Sequence, residues 1–310
     1  MEKKKVILDV DTGIDDALAI AYATKSKCLD LLGITTCFGN VHVEDATRNT
    51  QFVLQLLKEE TPVYQGSERP LSGKEPYLEV AKKIHGNDGL GNHLQDKGYA
   101  QHHQEEKHAI DFVIDTVKTY PHEITLIFVG PLTNLARIIE KDPEIIHLVK
   151  EVVIMGGAVT VPGNVRSYAE ANIFSDPNAA KKVLQSSLPI TLVGLDVTMN
   201  TLLPRNSVDQ WLKNENEVSQ FFAGITNYYI DAYENFQPGI GGCGLHDPLA
   251  VGVVIDPSFV ETKSMYIEVE TTGDMIGKTS VATEGTSKIN VCLKVEEERF
   301  LQHFMKTLEF

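Results

Sequence analysis

The run Val6-Ile-Leu-Asp-Val-Asp-Thr-Gly-Ile-Asp-Asp16 decides the fold prediction for this 310-residue chain. The apolar stretch at its start predicts a buried strand, and the Ala-Leu-Ala-Ile-Ala stretch that follows it predicts a helix. Asp9, Asp11, Asp15 and Asp16 therefore crowd the turn between strand and helix, where like charges repel strongly without a cation among them. Ligands bind at the carboxyl ends of strands in open α/β sheets. We expect a hard divalent cation here.

Outward from this motif, apolar β-rich runs alternate with helical patterns along most of the chain. Candidate strands lie at 5–10, 31–38, 124–130, 151–156 and 189–197, and candidate helices at 16–27, 43–59, 106–119, 132–140, 176–187 and 218–235. This alternation predicts right-handed βαβ units. The expected fold is a doubly wound α/β fold, with a mainly parallel sheet and helices on both of its faces.

Three regions depart from the alternation. Residues 65–100 and 157–175 are rich in Gly, Pro, Asn and Asp and are long for structural loops, so they are candidate active-site loops. After Pro257, strand patterns at 259–271, 278–283 and 289–295 and a helix at 296–308 predict a small C-terminal antiparallel appendage. Because no linker or repeat interrupts the chain, we expect one domain over residues 1–310.

Composition limits the partners and the compartment. The net charge of −15 disfavours nucleic-acid polymers, which need a basic footprint. No apolar run reaches the roughly 18 residues of a membrane span, and the N-terminal apolar run is broken by aspartates, unlike a secretory signal. The four scattered cysteines form no CxxC pair, which fits a reducing cytoplasm. We expect a cytoplasmic protein that acts on a small molecule.

The opening motif alone permits a second interpretation. Asp9-Val-Asp11-Thr12 resembles the DxDxT motif of haloacid-dehalogenase-like phosphatases, in which the first Asp is a nucleophile and Mg²⁺ binds nearby. That family also needs a late acidic element, and Gly273-Asp274 supplies no second Asp. An EF-hand does not fit, because Gly13 and Ile20 stand where its loop needs acidic residues.

The remaining motifs favour another family. Asp11-Thr-Gly-Ile-Asp15-Asp16 resembles the DxxxDD opening of the inosine–uridine-preferring nucleoside hydrolases, and seven further motifs follow in that family's order. They are Gly39-Asn40, His85-Gly-Asn-Asp-Gly-Leu-Gly91, Val129-Gly-Pro-Leu-Thr-Asn134, Met155-Gly-Gly-Ala158, Gly163-Asn164, Ala169-Glu-Ala-Asn172 and His246-Asp247-Pro248. Each motif is weak by itself, and their order makes the resemblance specific over most of the chain.

The resemblance implies a metal centre and a reaction. Asp11, Asp16, the backbone carbonyl of Val129 and Asp247 would hold one Ca²⁺, an ion that takes six to eight oxygen ligands. The remaining coordination places suit a water and a ribose cis-diol. The implied reaction is hydrolysis of the N-glycosidic bond of a ribonucleoside by direct attack of the metal-bound water, with Asp11 as general base.

The resemblance also assigns the substrate contacts. Asp15 would accept from the ribose 2′-hydroxyl, Asn40 would fix that side of the sugar, and Met155 would pack near the ring. Asn164 and Glu170 would hold the 5′-hydroxyl, and Asn172 and Asp247 the 3′-hydroxyl. His246 would protonate the departing base, and His85 would line the base pocket. Tyr229 and Tyr233, spaced i, i+4 on one predicted helix face, are further candidates for that pocket.

Base preference and assembly are less defined. The chain has Ala171 where several relatives carry Phe, and its single tryptophan, Trp211, lies away from the site motifs, unlike the purine-specific branch. We therefore expect broad inosine/uridine or pyrimidine use, and, from the relatives, a homo-oligomer (dimer or tetramer). Two alternatives stay open: a Mg²⁺ phosphatase that uses Asp9, and a nucleoside or ribose binder without catalysis.

Overall fold

The structure is a computed structural model that describes residues 3–94 and 105–310, so the predicted loop at 65–100 is described only as far as residue 94. The described strands are β1 Lys4–Val10, β2 Leu29–Thr36, β3 Val63–Gln65, β4 Thr125–Phe128, β5 Glu151–Met155, β6 Ile190–Val193, β7 Leu202–Pro204, β8 Gly242–Gly244, β9 Val260–Val269, β10 Thr279–Ala282 and β11 Ile289–Val295. The described helices are α1 Ile14–Lys25, α2 Val43–Leu57, α3 Glu79–His85, α4 Ala109–Thr119, α5 Thr133–Lys141, α6 Ala171–Ser175, α7 Pro177–Leu184, α8 Leu195–Thr198, α9 Arg205–Trp211, α10 Glu217–Phe236, α11 His246–Ile255 and α12 Glu297–Thr307.

Nine of these strands form a single sheet in the order β10-β9-β11-β6-β5-β4-β1-β2-β3. The pairings from β6 to β3 are parallel, and β11 also runs parallel to β6. Strands β9 and β10 add to this edge in antiparallel fashion, and β7 and β8 form a separate antiparallel pair. The predicted α/β fold is confirmed, and the C-terminal antiparallel strands continue the edge of the main sheet.

Alternating side chains of the strands pack into two cores, one on each face of the sheet. Leu8 and Val153 join the first core, which contains residues of α1, α2, α10, α11 and α12. Ile7, Leu126 and Ile154 join the second core, with residues of α4, α5 and α7. Because both faces are covered, the central strands read as continuous apolar runs. The predicted helices on both faces are confirmed.

Several predicted boundaries were wrong. The strand predicted at 189–197 ends at Val193, because Gly194 precedes the short helix α8. The loop predicted at 65–100 contains β3's last residue and α3, and the loop predicted at 157–175 contains the whole of α6. Helix α11 was not predicted, because it is buried nearly all round and its sequence lacks a polar face.

The parallel strands place their carboxyl ends along one edge of the sheet. The Asp11–Asp16 turn follows β1, Val129 follows β4, Met155 ends β5 and α8 follows β6. The edge therefore brings distant motifs to a single place. Within the two described ranges, no helix has the length and hydropathy needed to cross a membrane.

Candidate active site

A cavity of about 620 Å³ lies at this edge of the sheet. All predicted site residues except Asp16 line it, namely Asp11, Asp15, Asn40, His85, Val129, Met155, Asn164, Glu170, Asn172, Tyr229, Tyr233, His246 and Asp247. Asp16 lies just behind the wall, where its Oδ2 accepts a hydrogen bond from Asn40 Nδ2 at 3.0 Å. Residues that are far apart in the sequence therefore meet in one cavity.

Hydrogen bonds from the backbone fix the aspartate turn. Asp16 accepts from the amides of Asp11 (3.0 Å) and Gly13 (2.8 Å), which closes the turn at the start of α1. The Asn40 amide donates to Asp11 Oδ2 at 2.7 Å. This approach requires glycine at the preceding position, since a Cβ on Gly39 would lie 1.9 Å from Asp11 Oδ2. Local geometry therefore orients two of the carboxylates before any ligand binds.

The charge of this turn is poorly compensated by protein groups. Burial raises the pKa of Asp11, Asp16 and Asp247 and is the main cause of the shift in each. It is also the main reason why the pKa of Asp15 is raised to about 8. Repulsion by the other carboxylates raises the pKa of Asp11, Asp15 and Asp247 further. Asp11 Oδ1 and Asp15 Oδ1 are buried without a hydrogen-bond partner among the described residues. Such a donor set suits a hard cation.

The geometry groups the possible metal ligands differently from the sequence prediction. Carboxylate oxygens of Asp15, Asp16 and Asp247 lie within 4.8 Å of one another, and Asp11 is outside that set. The Val129 carbonyl, predicted as a ligand, accepts a hydrogen bond from Asn172 Nδ2 at 2.7 Å. Asp16 and Asp247 are common to both groupings. The described residues therefore hold an acidic cluster that could bind a metal ion.

The residues predicted to bind the 3′- and 5′-hydroxyls of the sugar lie at the start of α6 and in the loop before it. Glu170 is buried and accepts from the amides of Gly157 (2.9 Å), Asn172 (2.9 Å) and Ile173 (3.1 Å), and so caps this helix. Asn164 Oδ1 accepts from the Ala171 amide at 3.0 Å. Asn172 Nδ2 also contacts the Met155 carbonyl oxygen at 3.2 Å. Glu170 has a structural role that the sequence prediction did not include.

Two histidines and two tyrosines form the other end of the cavity. Burial lowers the pKa of His85 to about 3 and that of His246 to about 4, so both rings are neutral near pH 7. His85 Nδ1 accepts from the Ile14 amide at 3.1 Å, so its 3.8 Å approach to Asp15 is not an ion pair. Tyr229 donates to Asp15 Oδ2 at 3.2 Å, and Tyr233 Oη lies 2.5 Å from His246 Nε2.

Sequence reasoning missed two side chains beside the cavity, both on α8. Thr198 Oγ1 lies 2.7 Å from His246 Nδ1. Asp196 accepts from the amides of Val159 (2.9 Å) and Thr160 (2.7 Å), which holds the loop that carries Asn164. The apolar strand pattern predicted through 197 concealed this helix, although Gly194 with Asp196 two residues later was a signal for a helix start.

The position of Asp9 does not fit the phosphatase interpretation, in which Asp9 would be the nucleophile. The residue is 1% exposed and does not line the cavity. Its Oδ2 accepts from Thr35 Oγ1 at 2.5 Å and from Asn134 Nδ2 at 2.7 Å. A nucleophile must reach its substrate, and Asp9 is buried beneath the site. The geometry does not favour the phosphatase alternative.

Comparison with known proteins identifies the class. The model of a family described as inosine-uridine preferring nucleoside hydrolase matches residues 6–302, and this chain belongs to that family. It is therefore an N-glycosyl hydrolase of ribonucleosides, as the sequence predicted.

Individual relatives agree on the class and differ in base. A pyrimidine-specific ribonucleoside hydrolase, RihB, from Escherichia coli (strain SE11) is 37% identical over 90% of this chain and 87% of its own length. Uridine nucleosidase 1 of Arabidopsis thaliana is 36% identical over 97% of this chain and 91% of its own length. The solved structure of a purine-preferring ribonucleoside hydrolase from Gardnerella vaginalis superposes with a TM-score of 0.94, at 39% identity and 98% coverage of both chains.

Proposed function

We propose that this protein is a Ca²⁺-dependent hydrolase that cleaves the N-glycosidic bond of purine and pyrimidine ribonucleosides of the inosine and uridine type. The observation that carries the proposal is the set of four buried aspartates at one cavity, Asp11, Asp15, Asp16 and Asp247. Two of their oxygens have no partner among the described residues. An all-oxygen donor set of this charge favours Ca²⁺ over ions that prefer nitrogen or sulfur.

Asp16 and Asp247 would hold the cation, with Asp11 and the Val129 carbonyl completing the protein ligands. When bound, the cation neutralises these carboxylates and lowers the pKa of water at the site. Asp11 Oδ1 is the base that accepts a proton from the attacking water, because Oδ2 is occupied by the Asn40 amide. Water would attack C1′ as the sugar passes through an oxocarbenium-like state.

The ribose hydroxyls would replace hydrogen-bond partners that the site lacks. Asp15 Oδ1 is buried and unpaired among the described residues, and it would accept from the 2′-hydroxyl. Asn40 would fix that side of the sugar, and Met155 would pack near the ring. Asn172 and Asp247 would bind the 3′-hydroxyl, and Asn164 and Glu170 the 5′-hydroxyl. A site built in this way rejects analogues that lack a hydroxyl, because its own groups stay unpaired.

The base would lie among His85, Tyr229, Tyr233 and His246. The ring centroids of His85 and Tyr229 are 5.3 Å apart and those of Tyr229 and Tyr233 are 5.0 Å apart, which makes an aromatic wall. The resemblance assigned the proton donor to His246. Because Tyr233 Oη lies 2.5 Å from His246 Nε2, we propose instead that Tyr233 donates its hydroxyl proton to the departing base and that His246 acts through Tyr233. A proton donor at this place extends the substrate range to poor leaving groups such as hypoxanthine.

We further propose a single domain over residues 1–310, supported by the continuous nine-stranded sheet. The cytoplasmic location and the homo-oligomer stay predictions, and sedimentation velocity of the purified protein tests the latter.

The test is a hydrolysis panel of uridine, cytidine, inosine, adenosine, guanosine and thymidine, with and without chelator, read as released ribose. We expect turnover of inosine and uridine that chelation abolishes. Binding of these nucleosides without any turnover would support the non-catalytic binder instead.

A further inference from the structure

Thr198 sits behind His246, away from the proposed base position. Its side chain is fully buried, and its Oγ1 lies 2.7 Å from His246 Nδ1. No other side-chain hydrogen bond of Thr198 occurs in residues 3–94 and 105–310; its backbone amide donates to the Gly194 carbonyl. The hydroxyl therefore has one polar neighbour.

A buried hydroxyl must donate its proton, or the lost hydrogen bond costs about 1–3 kcal/mol. The only acceptor for the Thr198 hydroxyl in the described chain is His246 Nδ1. If Nδ1 accepts, the neutral ring must carry its proton on Nε2. The hydrogen bond at one nitrogen therefore determines the tautomer at the other.

We propose that Thr198 is a positioning residue that fixes His246 as the Nε2–H tautomer and thereby leaves the Tyr233 proton free for the departing base. The inference rests on the proposed function. With the proton on Nε2, His246 donates the 2.5 Å hydrogen bond and Tyr233 Oη accepts it. With the opposite tautomer, Tyr233 would donate to His246 and its proton would be unavailable to substrate.

The proton balance follows from this direction. As the C1′–N bond breaks, its electron pair passes to the base nitrogen, and the Tyr233 proton moves to that nitrogen. The phenolate that forms accepts from His246 Nε2–H. His246 stays neutral throughout, and solvent returns the proton to Tyr233 after the base leaves.

Two features support a site built for this contact. A Cβ on Gly244 would lie 2.7 Å from His246 Nε2 and 3.1 Å from Tyr233 Oη, so this close pair requires glycine there. Helix α8, which carries Thr198, is also anchored by Asp196 to the loop at Val159 and Thr160. The anchoring of α8 therefore holds Thr198 in place behind His246.

The first test reads the tautomer directly by ¹⁵N NMR of the imidazole nitrogens in the metal-free full-length protein, with His246→Ala used for assignment. We expect wild-type His246 as the Nε2–H form, Thr198→Ser to keep it, and Thr198→Val to give a mixture. An Nδ1–H ring in the wild type, or an unchanged Nε2–H ring in Thr198→Val, would overturn the inference.

The second test is kinetic. Thr198→Val should lower kcat for inosine about tenfold or more, and change kcat for p-nitrophenyl riboside, which needs no acid, less than about threefold. Thr198→Ser should restore the inosine rate, and Thr226→Val, a buried threonine whose hydroxyl is unpaired in the described chain, should match wild type. Equal slowing of both substrates by Thr198→Val would contradict the inference. A wild-type protein without nucleoside turnover would refute the proposed function, and the NMR test would still decide the tautomer.

Discussion

The Asn40 amide donates to Oδ2 of Asp11 at 2.7 Å, while Oδ1 of the same carboxylate is buried without a partner among the described residues. The two oxygens of Asp11 therefore have different roles. One is fixed by the backbone that follows β2, and the other is left for a ligand or a proton. This division is the basis for assigning Asp11 as the general base.

Replacing Asp11 with Asn keeps the shape of the side chain and an oxygen for the Asn40 amide, but removes the base. We expect Asp11→Asn to lower kcat on inosine and uridine about 10²–10⁴-fold. The matched control is Asp30→Asn, an exposed position on β2 remote from the cavity. Turnover by Asp11→Asn at the rate of the control would refute the role of Asp11.

The buried carboxylates make the stability of the metal-free protein depend on pH. Folding raises the pKa of Asp9 to about 7 and that of Asp15 to about 8, from an ordinary value of 3.8. The native state therefore binds more protons than the unfolded chain across this window, and stability falls as pH rises through it.

Burial also raises the pKa of Asp11, Asp16 and Asp247, and the proposed Ca²⁺ would bind the ionised forms of these three carboxylates and reverse part of this loss. We expect the Tm gain on adding Ca²⁺ to grow between about pH 5 and about pH 8, reaching a few degrees at saturation. Scanning calorimetry with EDTA and with Ca²⁺ at three pH values measures it. A Tm gain that is constant across that range would argue that Asp11, Asp16 and Asp247 do not hold the ion.

Tyr233 contributes only where the leaving group needs a proton. We expect Tyr233→Phe to slow inosine hydrolysis about 10²-fold and to leave p-nitrophenyl riboside hydrolysis nearly unchanged. His246→Ala should show the same split with a smaller effect on inosine. Tyr228→Phe, on the same helix but outside the cavity lining, is the control. The measurement is the steady-state kcat of each variant on both substrates. If Tyr233→Phe slowed inosine and p-nitrophenyl riboside equally, the assignment of Tyr233 as proton donor would be wrong.

The 2′-hydroxyl should be a strict requirement. Asp15 Oδ1 is buried and unpaired among the described residues, so a substrate without this hydroxyl leaves it unpaired in the complex. We expect kcat/KM for 2′-deoxyinosine to lie about 10⁴-fold below that for inosine. Competition between the two nucleosides in a single assay measures this ratio, and comparable use of both would remove Asp15 from the sugar contacts.

Much of the fold was predictable because the central strands carry apolar runs that both sheet faces require, as at Ile124–Phe128 and Val152–Met155. Helix α11 was not predictable from periodicity, since it is surrounded by other elements and has no polar face. The candidate site residues could be named because their motifs keep a family order, but the order of motifs carries no information on the distances between their side chains.

Contacts between residues far apart in sequence limited the prediction of the site. No sequence pattern indicated that Asn172 hydrogen-bonds the Val129 carbonyl, or that Asp15 groups with Asp16 and Asp247. Thr198 and His246 are likewise 48 residues apart, and only the packing of α8 against α11 brings them together. Such pairings depend on tertiary packing rather than on local pattern.

The most direct test of the central claim is the rate of ribose release from inosine by exhaustively chelated protein, titrated with Ca²⁺. The four buried aspartates predict no turnover without the ion and a saturable return of full activity with it. Full activity in the chelated protein, unchanged by added Ca²⁺, would contradict the account.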